Sequence, residues 1–310
     1  MRSRTMPVVT ALITTFNRSA FLKKAIESVL AQTFRDFELI ILDNSSTDDT
    51  EEVIKGFGDM RIRHIRHEPM NISQARNLGV REARGEYIAF LDDDDEWLPC
   101  KVEKQIEVFK RKGEGMGAAL VYGGFVRIDS EGREIGAHTP TLRGMILKEL
   151  LFQNDPFTGS ASNPMLKKSV VESLGFYNED VPTGEDWELY LRLAEKYPID
   201  YTIEPVVKIR DHEGPRLGDR LKDAARLEML IMKRYGYIFE KEKRLKSLYL
   251  QKIGGKFVRV GDLQTGRKYI AEAIKADPSN RKAYVQYMLS IMGQSLYNHI
   301  HNKYMAYRKS

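Results

Sequence analysis

Cysteine, net charge and long apolar runs are all scarce in this sequence, and each shortage excludes something. Cys100 is the only cysteine among 310 residues, so the chain can form no internal disulfide and no four-thiolate zinc or iron–sulfur centre. A reducing compartment is the expected setting. No uninterrupted apolar stretch approaches the ~18 residues of a membrane span. The basic start Met1–Met6 leads into a strand-like run rather than a signal-peptide core, so a cytoplasmic protein, at most peripheral at the inner face of a membrane, is expected. Lys and Arg number 49 against 44 Asp and Glu, a surplus of +5. Read as spread over the whole length, that surplus is too small to argue for a nucleic-acid partner, and most charges are expected on a solvated face. Also missing are a Gly-x-x-x-x-Gly-Lys-Ser/Thr loop, a Gly-x-Gly-x-x-Gly loop and a helical His-Glu-x-x-His pattern, which argues against kinase-like NTPases, NAD enzymes and zinc hydrolases. What remains is ordinary globular composition, 42% hydrophobic and 30% charged, enough for one large domain and a small companion.

Short β-branched runs at Val8–Thr14 and Phe37–Leu42 read as buried strands. Between them Ser19–Thr33 places Leu22, Ala25, Ile26, Val29 and Leu30 at helical spacing, with Ser19 available as the N-cap. The alternation continues with a helix over 48–56, a strand over 61–66, a helix over 73–83 and a strand over 87–91. Such alternation predicts an α/β fold with a largely parallel sheet. Residues 118–128 read as a strand pair or one bent strand, 206–209 as another strand, and helices are expected over 101–112, 142–152, 168–174 and 186–196. The α/β domain is expected to end near Gly218, with 219–310 an all-helical region of helices over 221–235, 240–260, 264–276 and 281–307. Within it, residues 262–288 resemble a single tetratricopeptide-like helix pair; one copy cannot make a solenoid.

Folds of this kind bind ligands beyond the carboxyl ends of their strands. Three polar clusters follow strand ends here: Thr15-Phe16-Asn17-Arg18, Asp43-Asn44-Ser45-Ser46 and Asp92-Asp93-Asp94-Asp95. Four consecutive aspartates repel one another unless a cation compensates. Carboxylate oxygens are the hard ligands that Mg²⁺ or Mn²⁺ prefers, and Mg²⁺ typically joins a few carboxylates to substrate phosphates. Capping of the helix that begins near Leu98-Pro99 accounts for one aspartate, with Asp95 the candidate, and not for four.

The ordered segments Thr14–Arg18, Phe37–Thr50, Asn71–Gly79 and Gly85–Asp95, with a fifth at Gly184–Leu193, resemble the successive motifs of glycosyltransferase family 2, the inverting GT-A enzymes. The likeness covers roughly residues 7–215. It implies a GT-A nucleotide-diphospho-sugar transferase fold, a Rossmann-like mostly parallel sheet flanked by helices, followed by the helical C-terminal region. It also implies a nucleotide site built by Thr14, Thr15, Phe16, Asn17, Arg18, Asp43, Arg76, Asp92 and Asp93, with Thr15, Phe16 and Asp43 at the base and Asp92 at the ribose. Asp94 of the Asp-x-Asp pattern, together with His212, would hold Mn²⁺ or Mg²⁺. Asp186 is the candidate catalytic base, Glu185 its competitor, and Trp187 the candidate acceptor platform.

Each residue has an ordinary structural alternative. Phe16 and Trp187 could be core rings, Arg76 a surface helix arginine, and Glu185 and Asp186 plain helix-start carboxylates. Arg210 and Arg216 flank His212 on a loop that suits a lid over phosphates. The resemblance implies transfer of a sugar from a nucleoside-diphosphate donor, UDP favoured, to a hydroxyl of a saccharide or lipid-linked saccharide in glycan or polysaccharide assembly. A sugar nucleotidyltransferase is disfavoured because Leu12–Asn17 holds no glycine. A catalytically silent module acting through the helical tail is the remaining alternative. It draws on the apolar and aromatic stripe between Tyr284 and Tyr304, which could equally serve a homodimer or a membrane surface.

Overall fold

A computed structural model describes residues 6–111, 117–153, 157–211 and 220–309. They divide into two compact units, one drawn from Met1–Asp180 with Glu185–Gly214 and the other from Val181–Gly184 with Pro215–Ser310.

In the first unit, β1 (Val9–Thr15) and β2 (Phe37–Asp43) are buried along nearly their whole length. Continuous burial rather than alternation is what a strand covered on both faces requires. Parallel pairing joins β1 to β2, β2 to β3 (Ile62–Arg66) and β1 to β4 (Tyr87–Asp92). The crossovers are α1 (Ser19–Leu30), α2 (Thr50–Gly56) and α3 (Ile72–Glu82). Helix α1 buries Leu22, Ala25, Ile26 and Val29, one apolar stripe at the spacing read from the sequence. These side chains join Val9, Ala11, Ile13, Leu39 and Ile41 in the main core. The expected cap at Ser19 is not formed. Arg18 occupies the N-cap position without a side-chain cap, and the Ser19 amide donates instead to Asp48 Oδ2 on the loop after β2, at 3.0 Å.

Beyond β4 come β5 (Glu96–Trp97), α4 (Lys101–Phe109), β6 (Leu120–Ile128), β7 (Glu134–His138), α5 (Leu147–Gln153), β8 (Met165–Lys167), α6 (Lys168–Ser173), α7 (Glu185–Ala194) and β9 (Ile199–Arg210). The result is a nine-stranded mixed sheet of order β3-β2-β1-β4-β8-β6-β9-β5, with β7 on β6. Its β3-to-β4 half is wholly parallel. In the other half β8 runs antiparallel to both β4 and β6, while β6 and β9 are parallel. The stretch read as a strand pair or a bent strand is one strand, β6, whose register against β9 shifts between Gly123 and Phe125.

The second unit contains α8 (Leu221–Arg234), α9 (Gly236–Lys241), α10 (Lys243–Arg259), α11 (Leu263–Ala276), α12 (Arg281–Ile291) and α13 (Gln294–Lys309). Helices α10 and α11 approach closely at two glycines. A Cβ on Gly254 would lie 2.7 Å from the Gly266 carbonyl oxygen, and one on Gly266 would lie 2.9 Å from that of Gly254. Around them Leu250, Val258, Ile270, Ala273, Ala283 and Tyr297 form a small core. The single helix expected over 281–307 is two, because Gly293 takes φ +108°, a left-handed conformation that ends α12.

Candidate active site

Register brings the three polar clusters together. Thr15 on β1 lies opposite Asp43 on β2, and Thr14 lies opposite Asp92 on β4, so the carboxyl ends of three parallel strands finish level. The loops beyond them are stitched side to side. Asn17, at φ +52°, donates its amide to Ser46 Oγ at 3.0 Å and accepts the Thr47 amide on its side-chain oxygen at 2.7 Å. Asp43 is fully buried, and its Oδ1 accepts the Ser46 amide at 2.8 Å. Its Oδ2 has no hydrogen-bond partner among the described residues, although His64 Nε2 and an Arg66 guanidinium nitrogen stand 3.5 Å away. That oxygen has acceptor capacity not taken up by a hydrogen bond, although its charge already faces His64 and Arg66. Phe16 is 54% exposed, so it is not the core ring that a post-strand aromatic often is.

Each of the four aspartates has its own surroundings. Asp93 accepts the Thr15 hydroxyl at 2.8 Å and Arg18 at 2.9 Å. Burial pushes its pKa up to about 6 against the pull of those partners. Asp94 receives the same Arg18 nitrogen at 2.5 Å. Asp92 accepts the Ser160 hydroxyl at 3.0 Å and faces Arg76 at 3.4 Å. Asp95 is buried beneath the others, accepting Ser162 Oγ at 2.6 Å, Ser160 Oγ at 2.9 Å and the Arg210 amide at 2.9 Å. Burial, then Asp92 and Asp94, push its pKa up to about 8. Asp95 is therefore not the cap of α4, whose N-cap position is Cys100. It is the internal post on which the acidic loop is folded.

Arg76, on α3, is buried rather than on a helix surface. It donates to Glu185 Oε1 at 2.5 Å, approaches Asp92, and lies over the rings of Phe90 and Tyr177. Burial opposes its charge, but Glu185 first, then Tyr177, Asp92 and Asp186, hold its pKa above the usual arginine value. Glu185 and Asp186 open α7. Glu185 is taken up by Arg76, whereas Asp186 accepts the Trp187 amide on Oδ1 at 2.7 Å. Burial and the neighbouring Glu185 charge push the Asp186 pKa up to about 6, with Arg76 opposing.

The structure thus gathers Thr14, Thr15, Phe16, Asn17, Arg18, Asp43, Arg76, Asp92, Asp93, Asp94, Glu185 and Asp186 at one end of the sheet, but not with equal freedom. Thr15, Asn17 and Asp93 spend their side chains on protein partners and organise the loops. Trp187 is 7% exposed and donates no surface to a sugar; it is a core ring. Arg210 is buried too, bonded to Glu96 and to the carbonyls of Asp94, Asp129 and Ser130, so it is a brace and not part of a lid. His212 and Arg216 lie outside the described residues. Sequence reasoning missed Ser160 and Ser162, which hold Asp92 and Asp95, and Asn77, which ties α3 to the Tyr177 backbone in both directions. Ordinary polar residues on a loop carry no periodic signal, although Ser-x-Ser-Asn just before a short strand could have drawn notice.

The acidic loop also bears on a divalent cation. Its donors are hard oxygens, and the Arg18 guanidinium already sits against Asp93 and Asp94, so the loop attracts positive charge. Among the described residues no three His, Cys, Asp or Glu side chains converge with metal-binding geometry. Side chains of the loop would supply only part of a coordination shell, the arrangement Mg²⁺ takes when phosphate oxygens and waters complete it. The residues fit that use.

Strand ends bearing a buried carboxylate, an acidic loop and the carboxylate pair that opens α7 define an α/β protein with its polar groups gathered beyond the carboxyl ends of its parallel strands. Residues 10–175 match the family Glycosyl transferase family 2, more than half of the chain; the chain belongs to that family. An uncharacterized glycosyltransferase of Rickettsia felis is 26% identical over 223 residues, covering 66% of this chain and 34% of that protein. The chain thus spans about a third of that curated relative's length. The fold is also that of S. aureus TarS 1-349, solved in complex with UDP-GlcNAc, at TM-score 0.65 and 13% identity over 96% of this chain and 91% of that one. The mannosyltransferase PcManGT of Pyrobaculum calidifontis, solved with GDP-Man and Mn²⁺, gives TM-score 0.56 at 14% identity over 95% and 86%. The α/β unit therefore has the GT-A-like fold.

Proposed function

We propose that the chain is a metal-dependent inverting glycosyltransferase, moving a sugar from a nucleoside-diphosphate donor to an acceptor hydroxyl in glycan or polysaccharide assembly. One observation carries the reading most directly. A single buried guanidinium, Arg76, bonds Glu185 and approaches Asp92, so the strand-end acids and the helix bearing Asp186 are held as one unit.

On the donor side, Asp43 Oδ2 accepts an imide N–H of the base and Phe16 lies against its ring. The imide makes UDP the favoured donor nucleotide, although the two fold neighbours carry UDP-GlcNAc and GDP-Man. Asp92 faces the ribose. Asp94 would hold Mn²⁺ or Mg²⁺, which when bound stabilises the negative charge of the departing diphosphate. On the other side of the sugar, Asp186 removes the proton from the acceptor hydroxyl as it attacks the anomeric carbon. With its pKa near 6, Asp186 is a carboxylate at neutral pH and a stronger base than an exposed aspartate. Glu185, bonded to Arg76, positions the helix start and does not compete for that proton.

Calorimetric titration of UDP, dTDP, GDP and ADP, each with and without Mn²⁺ or Mg²⁺, tests the donor half. One nucleotide binding tightly only with metal supports it, and no binding by any of them sinks it in favour of a silent module. For the chemical half, Asp186→Asn is expected to keep nucleotide affinity while sugar transfer falls by about 10²–10⁴-fold.

A further inference from the structure

All of the chain's net charge resides in its last segment. After Asp277 the sequence contains no Asp or Glu, while Arg281, Lys282, Lys303, Arg308 and Lys309 fall within it. Setting these five aside leaves 44 Lys and Arg against 44 Asp and Glu, so the surplus read above as spread over the chain is a local feature. The same segment bears the most exposed apolar face of the second unit. On α12, Tyr284, Val285, Met288 and Ile291, with Met292 just beyond, follow the i, i+1, i+4, i+7, i+8 spacing of one helical face. They are 44–66% exposed. Ile300 and Tyr304 on α13 are exposed as well, at i, i+4. Arg281 and Lys282 are exposed at the start of α12, and Lys282 lies 5.3 Å over the Tyr304 ring.

We infer that the α12–α13 face docks on a membrane surface carrying anionic headgroups. Met, Ile and Val side chains would enter the boundary between headgroups and acyl chains. Tyr284 and Tyr304 would sit at the polar edge, where an aromatic body and a hydroxyl are both satisfied. The flanking cations, unopposed by any acid in the segment, gain from the negative surface potential. A second copy of the chain is a poorer occupant, because it would set the exposed Arg281 and Lys282 of one copy against those of the other. Among the described residues no helix is long and apolar enough to cross a membrane, and this face asks for none. The inference does not depend on the proposed transferase chemistry.

The test is co-sedimentation of the full chain with vesicles of phosphatidylcholine alone or mixed with phosphatidylglycerol, at low and high salt. The expected result is binding to the mixed vesicles that high salt weakens. Met288→Gln/Ile291→Gln and Arg281→Gln/Lys282→Gln should each lower it by about tenfold or more, with unchanged circular dichroism and unchanged nucleotide binding. Failure to bind anionic vesicles overturns the inference, as does binding that both double variants retain. Sedimentation equilibrium without lipid adds a further check, since a dimer that Met288→Gln/Ile291→Gln dissociates would assign the face to a second copy instead.

Discussion

Glu185 and Asp186 are adjacent in the chain yet differ in what surrounds them, and the difference is testable. Arg76 donates to Glu185, so Arg76→Met leaves a buried carboxylate without its partner and should cost about 3–5 kcal/mol in chemical denaturation. Replacing both Arg76 and Glu185 by apolar residues should recover much of that loss. Asp186 instead titrates within reach of ordinary assays. Because its pKa is raised to about 6 and the base must be unprotonated, kcat/KM should rise with pH through about 6 and level off above it. That limb should vanish in Asp186→Asn; a rise that persists there would assign the titration to another group. Ser162→Ala removes a donor from buried Asp95 and should cost about 1–3 kcal/mol. Identity at these positions was legible to different degrees. Asp43, Arg76 and Asp186 stood out because an ordered motif series contained them. Ser160 and Ser162 did not, because their importance comes from distant partners that only the folded chain supplies.

Strands and helices were readable where burial is continuous or periodic. β1, β2 and α1 show the reason: seven-residue buried strands and a stripe at i, i+3, i+4, i+7 impose a pattern long enough to recognise. β5, with two residues, and β8, with three, are too short to impose one, and together with β7 they supply the antiparallel pairings that make the sheet mixed. The break at Gly293 was hidden because apolar residues continue on both sides of it. Helix contact was half hidden: Gly266 belongs to the tetratricopeptide-like pattern, but nothing in the sequence distinguishes Gly254 from a tolerated helix glycine, yet a Cβ on either would meet the backbone of the other. Gly254→Ala should therefore destabilise the helical unit by about 1–3 kcal/mol, although alanine is the better helix former. A thermal melt followed by helical circular dichroism would show it, and an unchanged or raised melting temperature would contradict the close approach.

For the molecule as a whole, burying carboxylates has a consequence for stability. Asp93 and Asp186 at about 6 and Asp95 at about 8 all bind a proton more tightly folded than unfolded. Their contribution is complete below the ordinary carboxylate pKa and is lost as pH rises through the folded values. The unliganded chain should accordingly melt at a lower temperature at pH 8 than at pH 5, and Asp95→Asn should flatten that slope. The bond from the Ser19 amide to Asp48 adds one more property. An N-cap side chain shields the second or third amide of a helix by local chemistry, whereas the Ser19 amide, the first of α1, is shielded only when the loop after β2 is in place. Deuterium uptake at Ser19 is thus a reporter for the order of a loop 29 positions away in the chain, and it should slow when a nucleotide settles against Asp43.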